Sequence, residues 1–248
     1  MTAPIVRPAS AERLFLWVVH RFSELFGAQA ILKGGMALRL LDCPRSTTDL
    51  DYIFVPFESK RDIESELRAA LGELEDALVE IELHSKMLRV ALSLDDARIQ
   101  IEATVARSCD SELVGTASIA IDLGQPPQVV RILSVNQALA HKLAAWNERR
   151  LFRDLYDIYF LRTRLGASPD QDVLEERLAA VHSRLPRLRS INSMTSEELV
   201  EELRGVAEGL EERELLSELD PLLPDNELAG LTSRIRVAVL SLADTLAS

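Results

Sequence analysis

Residues 31–55 read ILKGGMALRLLDCPRSTTDLDYIFV, and the fold turns on how this stretch is parsed. A short buried segment ends in the turn Gly34-Gly35. MALRLLDCP then has room for one or two helical turns before Pro44 stops it. DLDYIFVPF alternates and then becomes apolar, which predicts a strand. Residues two apart on a strand share a face, so Asp49 and Asp51 project together while Leu50 points into the core. Two neighbouring carboxylates raise each other's cost of ionisation, and a divalent cation removes that cost. Oxygen-only ligands suit Mg²⁺ (or Mn²⁺), which takes phosphate oxygens for its other positions. Taken alone, a solvated strand entrance is the commoner use of such a pair. A glycine pair ahead of a short helix lets backbone N–H groups approach a phosphate, though a lone pair of this kind also serves as a plain tight turn. Lys33 and Arg45 are equally able to meet phosphate or to cover surface.

Outward from this stretch, SAERLFLWVVHRFSELFG has apolar residues at helical spacing, Ser10 as N-cap and Gly27 as stop. SKRDIESELRAALGELE is an amphipathic helix. ALVEIELH, MLRVALSL and RIQIEATV read as strands, the last two joined by a turn at Asp95-Asp96. In RIQIEATV, Gln100, Glu102 and Thr104 share the polar face. Glu102 there is either solvated or the third member of a carboxylate triad with Asp49 and Asp51, and three carboxylates can hold two Mg²⁺ ions for an in-line displacement. After Pro126-Pro127 the chain reads as helix after helix, with capping boxes expected at Ser134/Gln137 and Thr195/Glu198. The class is therefore α+β, with one domain at 1–126 and a helical one at 127–248.

The chain of 248 residues suffices for one large domain or two modest ones. It contains no apolar run near the ~20 residues that span a bilayer. Its N-terminus lacks the pattern of a signal peptide, and Cys43 and Cys109 lack metal-type spacing, so a cytoplasmic, reduced protein is expected. A net charge of -12 argues against nucleic-acid binding through bulk charge, but the charge is uneven. Residues 131–164 are rich in arginine and residues 197–227 are acidic; the acidic helices are expected to form a solvated face or to dock a basic partner. The four histidines make no ligand spacing. Trp146, Tyr156 and Tyr159 read as packing residues, Trp146 less clearly than the others.

The order K-G-G-x-A-L-R-L, then R-x-T-x-D-L-D, resembles the nucleotidyltransferase toxins of the AbiEii/AbiGii type, within the DNA polymerase β-like nucleotidyltransferase superfamily. HKLAAWNERRLFRDLYDIYFL, at 141–161, is similar to that family's K-x-x-A-(x)-R-x-x-R-D-x-x-D segment. The resemblance covers roughly residues 30–165. It implies a mixed-sheet nucleotidyltransferase core carrying the acids, followed by a helical C-terminal half. Two positions depart from the pattern: Met36 stands where Thr or Ser is usual after the glycines, and Ser46 where an aromatic usually follows Arg.

Read as a single helix, Lys142 to Phe160 would place Lys142, Arg149 and Arg153 on one stripe, with Asp157 close by and Asp154 further round. That stripe suits a triphosphate, with Asp157 or Asp154 orienting the cations. The alternative is a surface of i,i+4 pairs, Arg150–Asp154 and Arg153–Asp157. The resemblance implies a toxin of a bacterial toxin–antitoxin or phage-defence pair that transfers NMP from NTP. Asp49, Asp51 and Glu102 would hold Mg²⁺; Lys33, Gly34, Gly35, Arg45, Lys142, Arg149 and Arg153 would bind nucleotide. An RNA acceptor, tRNA first, would follow a track at Arg131–Arg164 and at Arg184, Arg187 and Arg189, and a cognate antitoxin would be a partner. The alternatives are transfer to a protein or antibiotic hydroxyl, and a non-catalytic binding protein on the same fold.

Overall fold

The structure, a computed structural model, describes residues 8–183, 185–188 and 190–247, with Arg187 described by its backbone alone. The chain divides into two units, the first ending at Leu133 and the second beginning at Ser134.

The first unit opens with α1 (Ala11–Phe26), where the Ser10 hydroxyl accepts from the Arg13 N–H and Gly27 ends the helix at φ +53°. β1 (Ala30–Lys33) leads directly into α2 (Gly34–Leu40), and β2 (Asp49–Phe54) follows. Next come α3 (Arg61–Gly72), β3 (Leu78–Leu83), β4 (Leu88–Leu94), β5 (Ala97–Val105), β6 (Ser111–Gly115), α4 (Ala117–Ala120) and β7 (Val129–Leu133).

The seven strands form one mixed sheet in the order β3-β4-β5-β2-β1-β7-β6. β3-β4-β5 is an antiparallel meander, but β2 runs parallel to β5 and β1 parallel to β7. Alternation decides the faces. Leu50, Tyr52 and Phe54 of β2, Val90 and Leu92 of β4, and Ile101 and Ala103 of β5 are buried in one cluster with Leu14, Val18 and Phe22 of α1 and Ile63 and Leu67 of α3. Phe22 meets Tyr52 edge-on with ring centroids 5.1 Å apart. Each fully buried aromatic or aliphatic side chain of this kind contributes about 1.5–3 kcal/mol, so this face fixes the register of the strands. β6 and β7 were not anticipated from the sequence; β7 follows the proline pair, so the sheet extends past the expected boundary at Pro126.

The second unit is helical: α5 (Val135–Arg149), α6 (Phe152–Thr163), α7 (Gln171–Leu178), α8 (Ser196–Gly209), α9 (Glu212–Leu219), α10 (Asp225–Leu228) and α11 (Leu231–Leu246). The Thr195–Glu198 capping box is complete. Ser134 caps α5, and the Gln137 side chain donates to Asp170 at 3.2 Å.

Lys142 to Phe160 is two helices, not one. Arg150 breaks the run with φ +56° and ψ 38°. A left-handed non-glycine residue costs about 1–2 kcal/mol. Three contacts offset that cost. The Arg150 N–H donates to the Trp146 carbonyl at 2.7 Å, its guanidinium donates to Asn147 Oδ1 at 2.8 Å, and it stacks 4.3 Å from the centre of the Trp146 ring. The turn between α5 and α6 leaves α6 without a capping side chain at Leu151. Glu218 of α9 supplies one, accepting from the N–H groups of Phe152 and Arg153 at 3.1 Å each.

Candidate active site

β1 and β2 are antiparallel neighbours, with Lys33 opposite Asp51, and β5 lies on the other side of β2 with Glu102 opposite Asp51. Asp49 and Asp51 therefore share a face and Leu50, fully buried, points to the opposite one. On the Asp51 face the registers line up a row of charged residues across five strands: Glu82, Arg89, Glu102, Asp51 and Lys33. The neighbouring row places Ala91, Gln100 and Asp49 side by side.

Gly34 begins α2 at φ +70°, and a Cβ on it would lie 3.0 Å from Asp51 Cγ, with Oδ2 closer still. Only glycine combines that backbone conformation with that clearance. Gly35 has the same lack of room for a different reason: a Cβ there would meet Thr47 Oγ1 at 2.5 Å and Arg45 Nη2 at 3.1 Å. The glycine pair is thus packed under three polar side chains of the following loop and strand. Arg45 is buried and donates to the Ser46 carbonyl at 2.9 Å.

Glu102 does not converge fully with the two aspartates. Its Oε1 accepts from Arg89 Nη2 at 2.9 Å and from Gln100 Nε2 at 3.0 Å. Among the described residues no group of three or more His, Cys, Asp or Glu side chains is arranged to hold a metal ion. The strand positions put Glu102 beside Asp51, but the pairing with Arg89 turns its carboxylate to another partner. The donor set of Asp49 and Asp51, oxygen alone and two carboxylates on one strand face, fits a small hard dication.

Two further groups of this unit have their pKa values raised by their surroundings. Burial pushes the Tyr52 phenol well above its usual value. Burial, and then the Asp110 charge, raise the Cys109 thiol, against a smaller opposing pull from Lys33. Among the described residues neither Cys43 nor Cys109 is in a disulfide.

In the second unit, Lys142 reaches two buried acids. Its Nζ lies 2.5 Å from Asp157 Oδ2 and 3.7 Å from Asp154 Oδ1, and the two aspartates are 0% and 1% exposed. Arg149 grips Asp154 with two nitrogens, at 2.7 to 3.1 Å. The turn at Arg150 separates Arg150 from Asp154 on two elements, and within α6 Asp157 is buried against Lys142 while Arg153 is exposed. Arg150 pairs instead with Glu202 at 2.6 Å. Arg153 is exposed, and the stripe of Lys142, Arg149 and Arg153 is divided between two helices. Trp146 is 1% exposed, which makes it a packing residue. Arg184 and Arg189 lie outside the described residues, as does the Arg187 side chain.

A cavity of about 1130 Å³ in the second unit is lined by Glu198, Glu201, Glu202 and Glu214, with Arg150 among them. Its acidic lining repels a triphosphate, so size does not make it the nucleotide site. Among the described residues no helix is long and apolar enough to cross a membrane.

No curated protein matches the chain. Among solved structures it is distantly similar to the Elizabethkingia meningoseptica CdnE cyclic dinucleotide synthase with GTP and Apcpp. The likeness is 13% identity over 96% of this chain and 93% of that one, at a TM-score of 0.30. The family model of the nucleotidyl transferase AbiEii toxin, type IV toxin–antitoxin system, matches residues 19–248, nearly the whole chain, and the protein belongs to that family.

Proposed function

We propose that this nucleotidyltransferase transfers NMP from a Mg²⁺-bound NTP to an RNA acceptor, tRNA first among them, as the toxin of a toxin–antitoxin pair. The single observation that carries the site is the placement of Asp49 and Asp51 on one face of β2, beside Glu102 in register on β5, with Gly34 packed against Asp51. When bound, Mg²⁺ neutralises phosphate oxygens and eases loss of the attacking hydroxyl's proton.

In this reading Asp49 and Asp51 hold the cation, and the backbone at Gly34 and Gly35 approaches the phosphates. Lys33 and Arg45 flank that approach with positive charge. The acceptor oxygen forms a bond to the α-phosphorus as the bond to the β-phosphate oxygen breaks. Pyrophosphate leaves with the electron pair, and the hydroxyl proton passes to a carboxylate of the site or to water. Lys142 is assigned to the triphosphate, where its charge would neutralise the leaving group. Asp157 and Asp154 hold its ammonium in place, and Arg149 fixes Asp154.

The RNA acceptor is supported by the basic bias of residues 131–164 in an otherwise acidic chain. Calorimetric titration of Mg²⁺·NTP tests the nucleotide site, with binding in the wild type and its loss in Asp49→Ala and Lys142→Ala expected. Salt tests the acceptor: log affinity for RNA is expected to fall with log salt by about 0.7 per phosphate contacted. Charge reversal at Arg184, Arg187 and Arg189 is expected to weaken RNA binding and spare Mg²⁺·NTP binding. A flat salt response, with transfer to a small hydroxyl compound or to protein, would replace RNA as the acceptor.

A further inference from the structure

The charged row across the sheet contains a residue without a part in the site as read so far. Arg89 stands opposite Glu102 on the antiparallel strand, and Glu102 stands opposite Asp51 on the parallel one. Two carboxylates side by side on adjacent strands repel, and a cation must offset them. The row supplies one on either side, Lys33 opposite Asp51 and Arg89 opposite Glu102. The Arg89 Nη2 and the Gln100 amide converge on the same oxygen, Oε1 of Glu102, at 2.9 and 3.0 Å. The Arg89 Nε is buried with no hydrogen-bond partner, so Glu102 is the one carboxylate its guanidinium meets among the described residues.

We propose that Arg89, with Gln100, is a positioning residue that holds Glu102 off the Asp49–Asp51 pair and so sets how many carboxylates a divalent cation meets. The inference rests on the metal reading given above. A cation entering between Asp49 and Asp51 competes with Arg89 for Glu102. The pair is partly exposed, with Arg89 at 40% and Glu102 at 23%, and such pairs are weak enough to exchange. Bare metal then binds to two carboxylates, and the third is recruited only when Arg89 is displaced. An incoming triphosphate is a group of the right charge to displace it, since a guanidinium released from a carboxylate pairs well with phosphate.

The test is Mn²⁺ binding, without nucleotide or turnover, to the wild type, Arg89→Ala, Glu102→Gln and the double variant. Arg89→Met, which keeps an apolar stem without charge or donor, guards against loss of packing in Arg89→Ala. Releasing Glu102 is expected to tighten Mn²⁺ binding about tenfold, the scale on which partners outside the ligand shell act on affinity. In the Glu102→Gln background the same arginine change is expected to do little. Unchanged or weaker binding in both arginine variants overturns the proposal. So does a gain that persists in full with Glu102→Gln, because that gain would come from charge at a distance and not through Glu102. Absence of Mn²⁺ binding in the wild type and in every variant overturns the metal reading itself.

Discussion

Gly34→Ala separates the backbone of the site from its chemistry. Two costs arise at this position. Gly34 has φ +70°, and placing a Cβ there costs about 1–2 kcal/mol. The new Cβ would also sit 3.0 Å from Asp51 Cγ and 3.1 Å from its Cβ, with Oδ2 closer than any real contact allows. Asp51 is held by β2 between β1 and β5, so the carboxylate must turn or the start of α2 must shift, on the order of 1 Å. A displacement of that size in a positioned group costs about 10²-fold in rate. Gly124 provides the control. It has φ +65°, but a Cβ there would meet only Arg13 Nη2, at 4.0 Å. Gly124→Ala is therefore expected to lose only the conformational share of stability in urea denaturation and to keep full nucleotide transfer. Gly34→Ala is expected to lose more stability than that, and about 10²-fold in transfer. Equal destabilisation of the two variants, with transfer intact in Gly34→Ala, would refute the reasoning.

His20 is buried on α1, and its Nε2 lies 2.9 Å from the Thr116 hydroxyl, which also accepts from the Gln128 N–H at 2.9 Å. Burial lowers its pKa from the usual 6.5, with Glu24 pulling weakly the other way. The unfolded chain then takes up the proton more readily than the folded one, so stability is full above pH 6.5 and falls as pH drops through that value. Urea midpoints across this range should show that loss, and His20→Gln should flatten it; a wild type more stable at the acid end contradicts the sign. Asp157→Ala leaves Lys142 in a buried site with one carboxylate fewer and is expected to cost about 3–5 kcal/mol in denaturation. Arg153→Ala, at an exposed position, is expected to stay within about 0.5 kcal/mol of the wild type.

Local patterns carried much of the first unit. The D-L-D alternation places Leu50 in the core and both aspartates on the other face, as the structure has them. The two-residue turn at Asp95-Asp96 fixes the hairpin register, Leu94 opposite Ala97, and from it Arg89 opposite Glu102. That pairing follows from the turn alone, by counting back along both strands. Strand order was not available. The parallel pairing of β2 with β5 joins residues about fifty positions apart, and nothing in either segment encodes its neighbour. β7 was hidden by the proline pair before it, which reads as a boundary although the chain returns to the sheet beside β1.

The helix break at Arg150 had no signal of the usual kind, since neither Gly nor Pro stands there. An arginine takes the left-handed position because Trp146 and Asn147, one turn earlier, hold its side chain. Across that turn the pairs are Arg149–Asp154 and Lys142–Asp157.

The central claim is Mg²⁺-dependent transfer of NMP to RNA by the Asp49–Asp51 site. Its most direct test is incubation of the purified protein with Mg²⁺, each α-labelled NTP in turn and total cellular RNA. The account predicts label in RNA that is destroyed by RNase, requires Mg²⁺ and is absent with Asp49→Ala. Label that survives RNase, that forms equally with Asp49→Ala, or that forms without Mg²⁺ would contradict it.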